Sequence, residues 1–219
     1  MTSSAASSRS LTVRSILVCL GLVFGGALGF AVGKLMKSGV IDVSSMSWSD
    51  EAAAVIAVAL MALGLIIGIV SLNRRAAGRM MDPEGERPAT AGQASFYRQQ
   101  GLVLFLAGAM MAAPVVAVML FDPLPFPIAS AVMLAIVAAF LAQTAYNLLV
   151  WRRADELMRQ TISQTGAVCF WVLQGLLFLW AAAEKLNIAP ALSAWDMMTL
   201  MMGFYLIVSS AMSMRRGLT

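Results

Sequence analysis

The sequence predicts an all-α fold: a polytopic transmembrane bundle of six helices, paired as three hairpins, with both termini on the cytoplasmic side. Three observations carry that prediction. The first is composition, because 60% of the 219 residues are hydrophobic and 12% are charged, against roughly 45–50% and about 25% in a soluble domain. The second is where the charges lie. Every Asp, Glu, Lys and Arg falls outside six uncharged runs, Ser15 to Gly33, Ala52 to Asn73, Gln99 to Phe121, Pro123 to Trp151, Gln160 to Ala183 and Met197 to Met214, which hold 19, 22, 23, 29, 24 and 18 residues. A helix needs about 20 residues to cross a hydrocarbon core of roughly 30 Å. No water satisfies backbone amides there, so a span is a helix or part of a closed barrel, and these runs lack the alternation of a barrel strand. The third is the asymmetry of the basic residues. Arg9, Arg14, Arg74, Arg75, Arg79, Arg87, Arg98, Arg152, Arg153, Arg159, Arg215 and Arg216 fall on one side of the spans, and only Lys34, Lys37 and Lys185 on the other. Cytoplasmic segments carry such an excess, which also accounts for the net charge of +4 without a nucleic-acid partner.

The elements follow in order. Residues 1–12 form a Ser/Ala-rich tail expected to be disordered, and residues 13–219 a single transmembrane domain. The first span covers about 13–36. It is longer than the core of a signal peptide and is expected to be retained. Ser47 and Asp50 then have the spacing of a capping box around Trp48 at interface depth, and the second span covers about 50–73. The segment from Arg74 to Gln93, with its Asp-Pro and Arg-Pro pairs, reads as a flexible cytoplasmic loop. The third span, about 96–120, begins near Ser95 and is expected to kink at Pro114. Pro123, Pro125 and Pro127 stiffen a short outer turn into the fourth span, about 126–151. Arg152 and Arg153 close that helix, and Asp155 is placed to cap the next, which spans about 160–184 and is expected to start a turn or more below the membrane surface. Ser193 to Asp196 repeats the Ser-x-x-Asp pattern with Trp195 inside it, and the last span covers about 195–214. The echo between the starts of the second and sixth spans fits three hairpin repeats, and fits shared interface chemistry equally well.

Candidate functional residues are few. Gly21, Gly25, Gly29 and Gly33 recur every four residues in the first span, and Gly64 and Gly68 in the second offer them a partner. Missing side chains let backbones approach closely, which drives association where lipid supplies no hydrophobic effect. Ala131, Ala135, Ala139, Gln143 and Asn147 share a stripe of the fourth span; with Gln174, Tyr146 and Tyr205 the amides are candidates for hydrogen bonds between helices or for a polar path. Arg74, Arg75, Arg79, Arg152, Arg153, Arg215 and Arg216 are expected to anchor the topology and to meet lipid headgroups. Cys19 and Cys169 lie inside spans, with no disulfide expected. The 17 methionines, four of them at Met197, Met198, Met201 and Met202, suit flexible packing better than Cu(I).

Absences exclude more. With no histidine the chain offers no imidazole for haem, zinc or general base, and with no Lys in a span it cannot hold retinal as a Schiff base. No carboxylate lies mid-membrane to relay protons. No cofactor or metal site is expected, and an enzyme, of which a lipid-modifying one is the alternative, is disfavoured for want of clustered carboxylates or histidines.

Trp151-Arg152-Arg153-Ala154-Asp155-Glu156-Leu157-Met158-Arg159-Gln160 and the helix after it resemble small uncharacterised bacterial multi-pass inner-membrane proteins, over about Arg152 to Ala183. The resemblance implies a bacterial inner membrane and says nothing of activity. The expected function is a non-catalytic membrane subunit or scaffold that packs against other membrane chains or itself within the lipid bilayer. The alternative is a small oligomeric transporter or channel with a polar path near Gln143, Asn147 and Gln174.

Overall fold

Residues 46–81, 87–121 and 123–215 are described by the structure, a computed structural model. The tail, the first span with Gly21, Gly25, Gly29 and Gly33, Cys19 and Arg216 lie outside them. The described residues form six helices and no strand: α1 (Trp48–Leu72), α2 (Arg74–Met81), α3 (Ala91–Leu120), α4 (Phe126–Arg153), α5 (Glu156–Lys185) and α6 (Ala194–Arg215). All but α2 are long and apolar enough to cross a bilayer, and they are the second to sixth predicted spans.

Local chemistry sets the ends. At α1, the Asp50 amide donates to Ser47 Oγ at 3.2 Å and the Ser47 amide to the Asp50 carboxylate at 3.2 Å, completing the predicted capping box. The same exchange between Ser193 and Asp196, at 3.1 and 2.8 Å, opens α6. Asp155 caps α5 by accepting from the Met158 amide at 2.8 Å. Helix α5 therefore starts at Glu156, about one turn before the uncharged run that begins at Gln160, as the position of Asp155 predicts. It ends on Asn187, whose φ of 57° lies in the left-handed region. There the Ile188 amide reaches back to the Ala183 carbonyl and the Asn187 amide to that of Glu184, a Schellman closure with Asn in the usual place of Gly.

Two expectations are corrected. The segment read as a flexible loop contains α2. Asn73 ends α1, and its side-chain oxygen accepts from the Arg75 amide at 3.0 Å, starting a second helix at once. Residues 87–90 then fold back onto that helix: Arg74 Nε donates to the Ala89 carbonyl at 2.8 Å, the Ala89 amide donates to the Arg74 carbonyl at 2.8 Å, and Gly78 gives the Arg87 carbonyl room to lie against the backbone. Helix α3 also begins four residues before Ser95, because Thr90 and Gln93 form a capping box with bonds of 3.2 and 2.9 Å. It continues through Pro114 to Leu120 without a break.

Packing is pairwise. Helix α3 lies between α1 and α4, α1 also meets α6, and α6 meets α5. The neighbours therefore run α4, α3, α1, α6, α5. Helices α4 and α5, joined by residues 154 and 155, share no extended interface. Arg159 holds that turn by donating to the Trp151 and Arg152 carbonyls at 3.2 and 3.1 Å, which satisfies the exposed end of α4. The core forms where α1 meets α3, from Ala53, Ala57, Leu60, Ala107, Met111 and Val115, with Trp195, Met202 and Leu206 of α6 against it. At the end remote from the arginines, the Asp196 carboxylate accepts a hydrogen bond from Ser49, which is only 1% exposed. The two Ser-x-x-Asp starts thus sit side by side, on parallel helices.

Candidate functional site

Three features of the described residues could carry function: a glycine-lined seam, a groove beside it, and faces left without a partner. The seam is built from residues spaced by seven. Ala57, Gly64 and Ser71 of α1 are buried, as are Ala94, Gly101, Gly108 and Val115 of α3. A seven-residue repeat keeps small residues facing one another along two nearly aligned helices. The approach is close enough that side chains are excluded. A Cβ on Gly64 would stand 2.6 Å from the Gly101 carbonyl oxygen, one on Gly101 2.7 Å from that of Gly64, and one on Gly108 2.6 Å from that of Ala57. The only hydroxyl in this row, Ser71, is satisfied within its own helix by the Gly68 carbonyl at 2.7 Å.

Gly64, expected to face the first span, is thus engaged by α3. Gly68 is different: its backbone touches the seam, but a Cβ there would meet nothing within 4 Å. That open side faces a groove of about 500 Å³ walled by α1 and α3 and reached by Tyr146 of α4. Gly64, Leu65, Gly68, Ile69, Leu72, Gly101, Leu102 and Phe105 make it apolar, while Arg98, Gln99 and Tyr146 place polar groups at the end nearest the arginine-rich face. The Gln99 side-chain oxygen is buried and has no hydrogen-bond partner.

The structure does not gather the predicted polar residues into one place. Gln143 donates its amide to the Val103 carbonyl at 3.3 Å and ties α4 to α3. Asn147, on the same stripe, is exposed, as are Ala131 and Ala135. Gln174 is exposed on α5, which does not share an extended interface with α4. Tyr205 is 42% exposed on α6, the helix that α5 packs against through Thr161, Thr165 and Cys169, a free thiol. Among the described residues no polar path joins these groups. Of the arginines, Arg75, Arg79 and Arg152 are exposed, Arg74 holds Ala89, and Arg153 donates to Ser95 Oγ at 3.3 Å. Arg215 is the last described residue of α6.

The unpartnered faces are large. Helix α4 buries Val150 alone and α5 buries Thr161, Thr165 and Cys169. On α5 the exposed surface includes Phe170, Trp171, Phe178 and Leu179 together with Gln174, Gly166 and Gly175, and a Cβ on either glycine would meet nothing within 4 Å.

Reading the sequence for four-residue spacing overlooked Gly101 and Gly108. The signal that finds them is the seven-residue series itself, present in both helices. Comparison with known protein families, with curated proteins and with solved structures finds no match for this chain.

Proposed function

We propose that the chain is a non-catalytic integral membrane subunit that works by packing its exposed helix faces against a partner membrane protein or a second copy. The observation that carries this reading is Gln174. It lies near the middle of the uncharged run from Gln160 to Ala183, is exposed, and has no hydrogen-bond partner among the described residues. A primary amide facing hydrocarbon is costly, and a helix of a neighbouring chain is the ordinary way to satisfy it. Gly166 and Gly175 on the same helix leave room for that neighbour to come close.

The excess of arginine at one end supports a cytoplasmic assignment for that end and hence both termini inside, in a bacterial inner membrane. The four-residue glycine spacing of the sequence from Gly21 to Gly33 supports the same reading. The test is purification of the full chain from its native membrane in a mild detergent, with mass spectrometry of what accompanies it. A stoichiometric membrane protein, or a defined oligomer, that is lost on Gln174→Leu or Gly175→Leu is the expected result. A monomer without companions, stable in both variants, overturns the reading.

A further inference from the structure

The groove between α1 and α3 is a second, independent surface, and it does not depend on the subunit reading. Its length is informative. From Leu72 to Gly64 and from Arg98 to Phe105 its walls cover nine and eight residues, about 12 and 10 Å of helix between their end residues. That is most of one leaflet, whose hydrocarbon half is roughly 15 Å. A transmembrane helix from another chain would need a face along the full core. A leaflet-length occupant fits the dimensions, and a volume of about 500 Å³ lies within the usual range for a small-molecule site.

The chemistry is graded along the groove. The deep part is lined by Gly64, Gly68, Leu65, Leu102 and Phe105, and Gly68 has no side chain to fill it. The shallow end carries Arg98, exposed at the boundary of the uncharged run, and the amide of Gln99, whose oxygen is buried without a partner. Arg74 and Arg75 follow Leu72 at the same end. A cation beside an unpaired amide at headgroup depth, above an apolar slot one leaflet deep, complements a phosphate, a glycerol or ester group and an acyl chain.

The geometry points to a specific site for one anionic glycerophospholipid of the arginine-side leaflet, with an acyl chain laid over Gly68, its phosphate at Arg98 and its glycerol region at Gln99. This differs from annular lipid because the slot is bounded by two helices and reached by a third, and its polar groups are arranged at one end only.

The test uses the full chain in nanodiscs of phosphatidylglycerol and phosphatidylethanolamine in equal parts, transferred to detergent and read by native mass spectrometry. One retained phospholipid, enriched in phosphatidylglycerol, is expected. Gly68→Leu fills the slot and abolishes retention, whereas Ala131→Leu, an exposed small residue near the opposite end of α4, leaves it unchanged and controls for the added bulk. Arg98→Gln keeps a lipid but lowers the preference for phosphatidylglycerol about fivefold, the factor one surface cation gives an anionic lipid. Retention that is unchanged in Gly68→Leu, a headgroup preference unaffected by Arg98→Gln, or no phospholipid above the empty-micelle background each overturns the assignment.

Discussion

Replacing Gly101 by alanine adds one methyl group and tests whether the α1–α3 seam holds the bundle. The new Cβ would stand 2.7 Å from the Gly64 carbonyl oxygen, 2.9 Å from the Gly68 nitrogen and 3.3 Å from the Gly68 Cα. All three are backbone atoms, so no rotamer change relieves the contact. Reaching an ordinary separation of about 3.5 Å requires the helices to part by roughly 0.8 Å at that level. A gap of that size forfeits a quarter to a half of the dispersion attraction of each affected atom pair. In a bilayer no hydrophobic effect compensates, because lipid tails are as apolar as the side chains. Overpacking of this kind costs about 1–3 kcal/mol, and the better helix propensity of alanine returns up to about 1 kcal/mol. A net loss of about 1–2 kcal/mol is expected for Gly101→Ala, read from reversible unfolding in mixed micelles of mild detergent and dodecyl sulfate. Gly68→Ala is the control: its Cβ meets nothing within 4 Å, so it should be neutral or slightly stabilising. The double variant Gly64→Ala/Gly101→Ala should lose less than the sum of the single changes, since the first methyl already opens the space the second enters. Equal stability for Gly101→Ala and Gly68→Ala would refute the argument, because it would mean that the close approach of these backbones carries no energy.

Other expectations follow from particular contacts. Thr90→Ala removes the cap of α3 and should cost about 1 kcal/mol, with Thr90→Ser nearly neutral; faster hydrogen exchange at the Gln93 amide, which donates to Thr90 Oγ1, is the local readout. Asp196→Ala removes the acceptor of the Ser193 amide and of the Ser49 hydroxyl, which keeps only its bond to Ser47 Oγ at 2.9 Å, and should lower the unfolding temperature, while Asp196→Asn, which keeps an acceptor, lowers it less; thermal unfolding in detergent distinguishes them. Gln143→Leu deletes the bond to the Val103 carbonyl and should shift stability by only about 0.6 kcal/mol, so a large loss would indicate a polar site there that the described residues do not show. Arg159→Ala removes two bonds to the end of α4 and should raise proteolytic cleavage near Ala154 and Asp155.

Five spans were legible because a single physical rule governs them: a charge is too costly to leave in hydrocarbon, so each uncharged run within the described residues marks a helix. The caps at Ser47, Asp155 and Ser193 were legible for a similar reason, since each side chain serves amides two or three residues away and needs nothing distant. Helix α2 was hidden by its neighbourhood. Arg74 to Met81 adjoins Pro83 and Pro88, which read as loop, and what stabilises it is a bond between residues fifteen apart, Arg74 and Ala89. The seam was hidden differently. The glycine series in the first span has a four-residue spacing of one residue type, whereas α1 and α3 meet through a seven-residue series that mixes Ala, Ser and Val with Gly, so no single residue type displays it. Gly64 belongs to both patterns, and only the position of Gly101 decides which one it serves. The amides follow the same logic. Composition identifies Gln143 and Gln174 as polar groups in hydrocarbon, but their consequences differ entirely: the first finds a carbonyl on the next helix, and the second faces outward. The unsatisfied member of such a pair is where an additional chain would contribute most, which is why the exposed face of α5, rather than the well-packed seam, is the surface on which the proposed function rests.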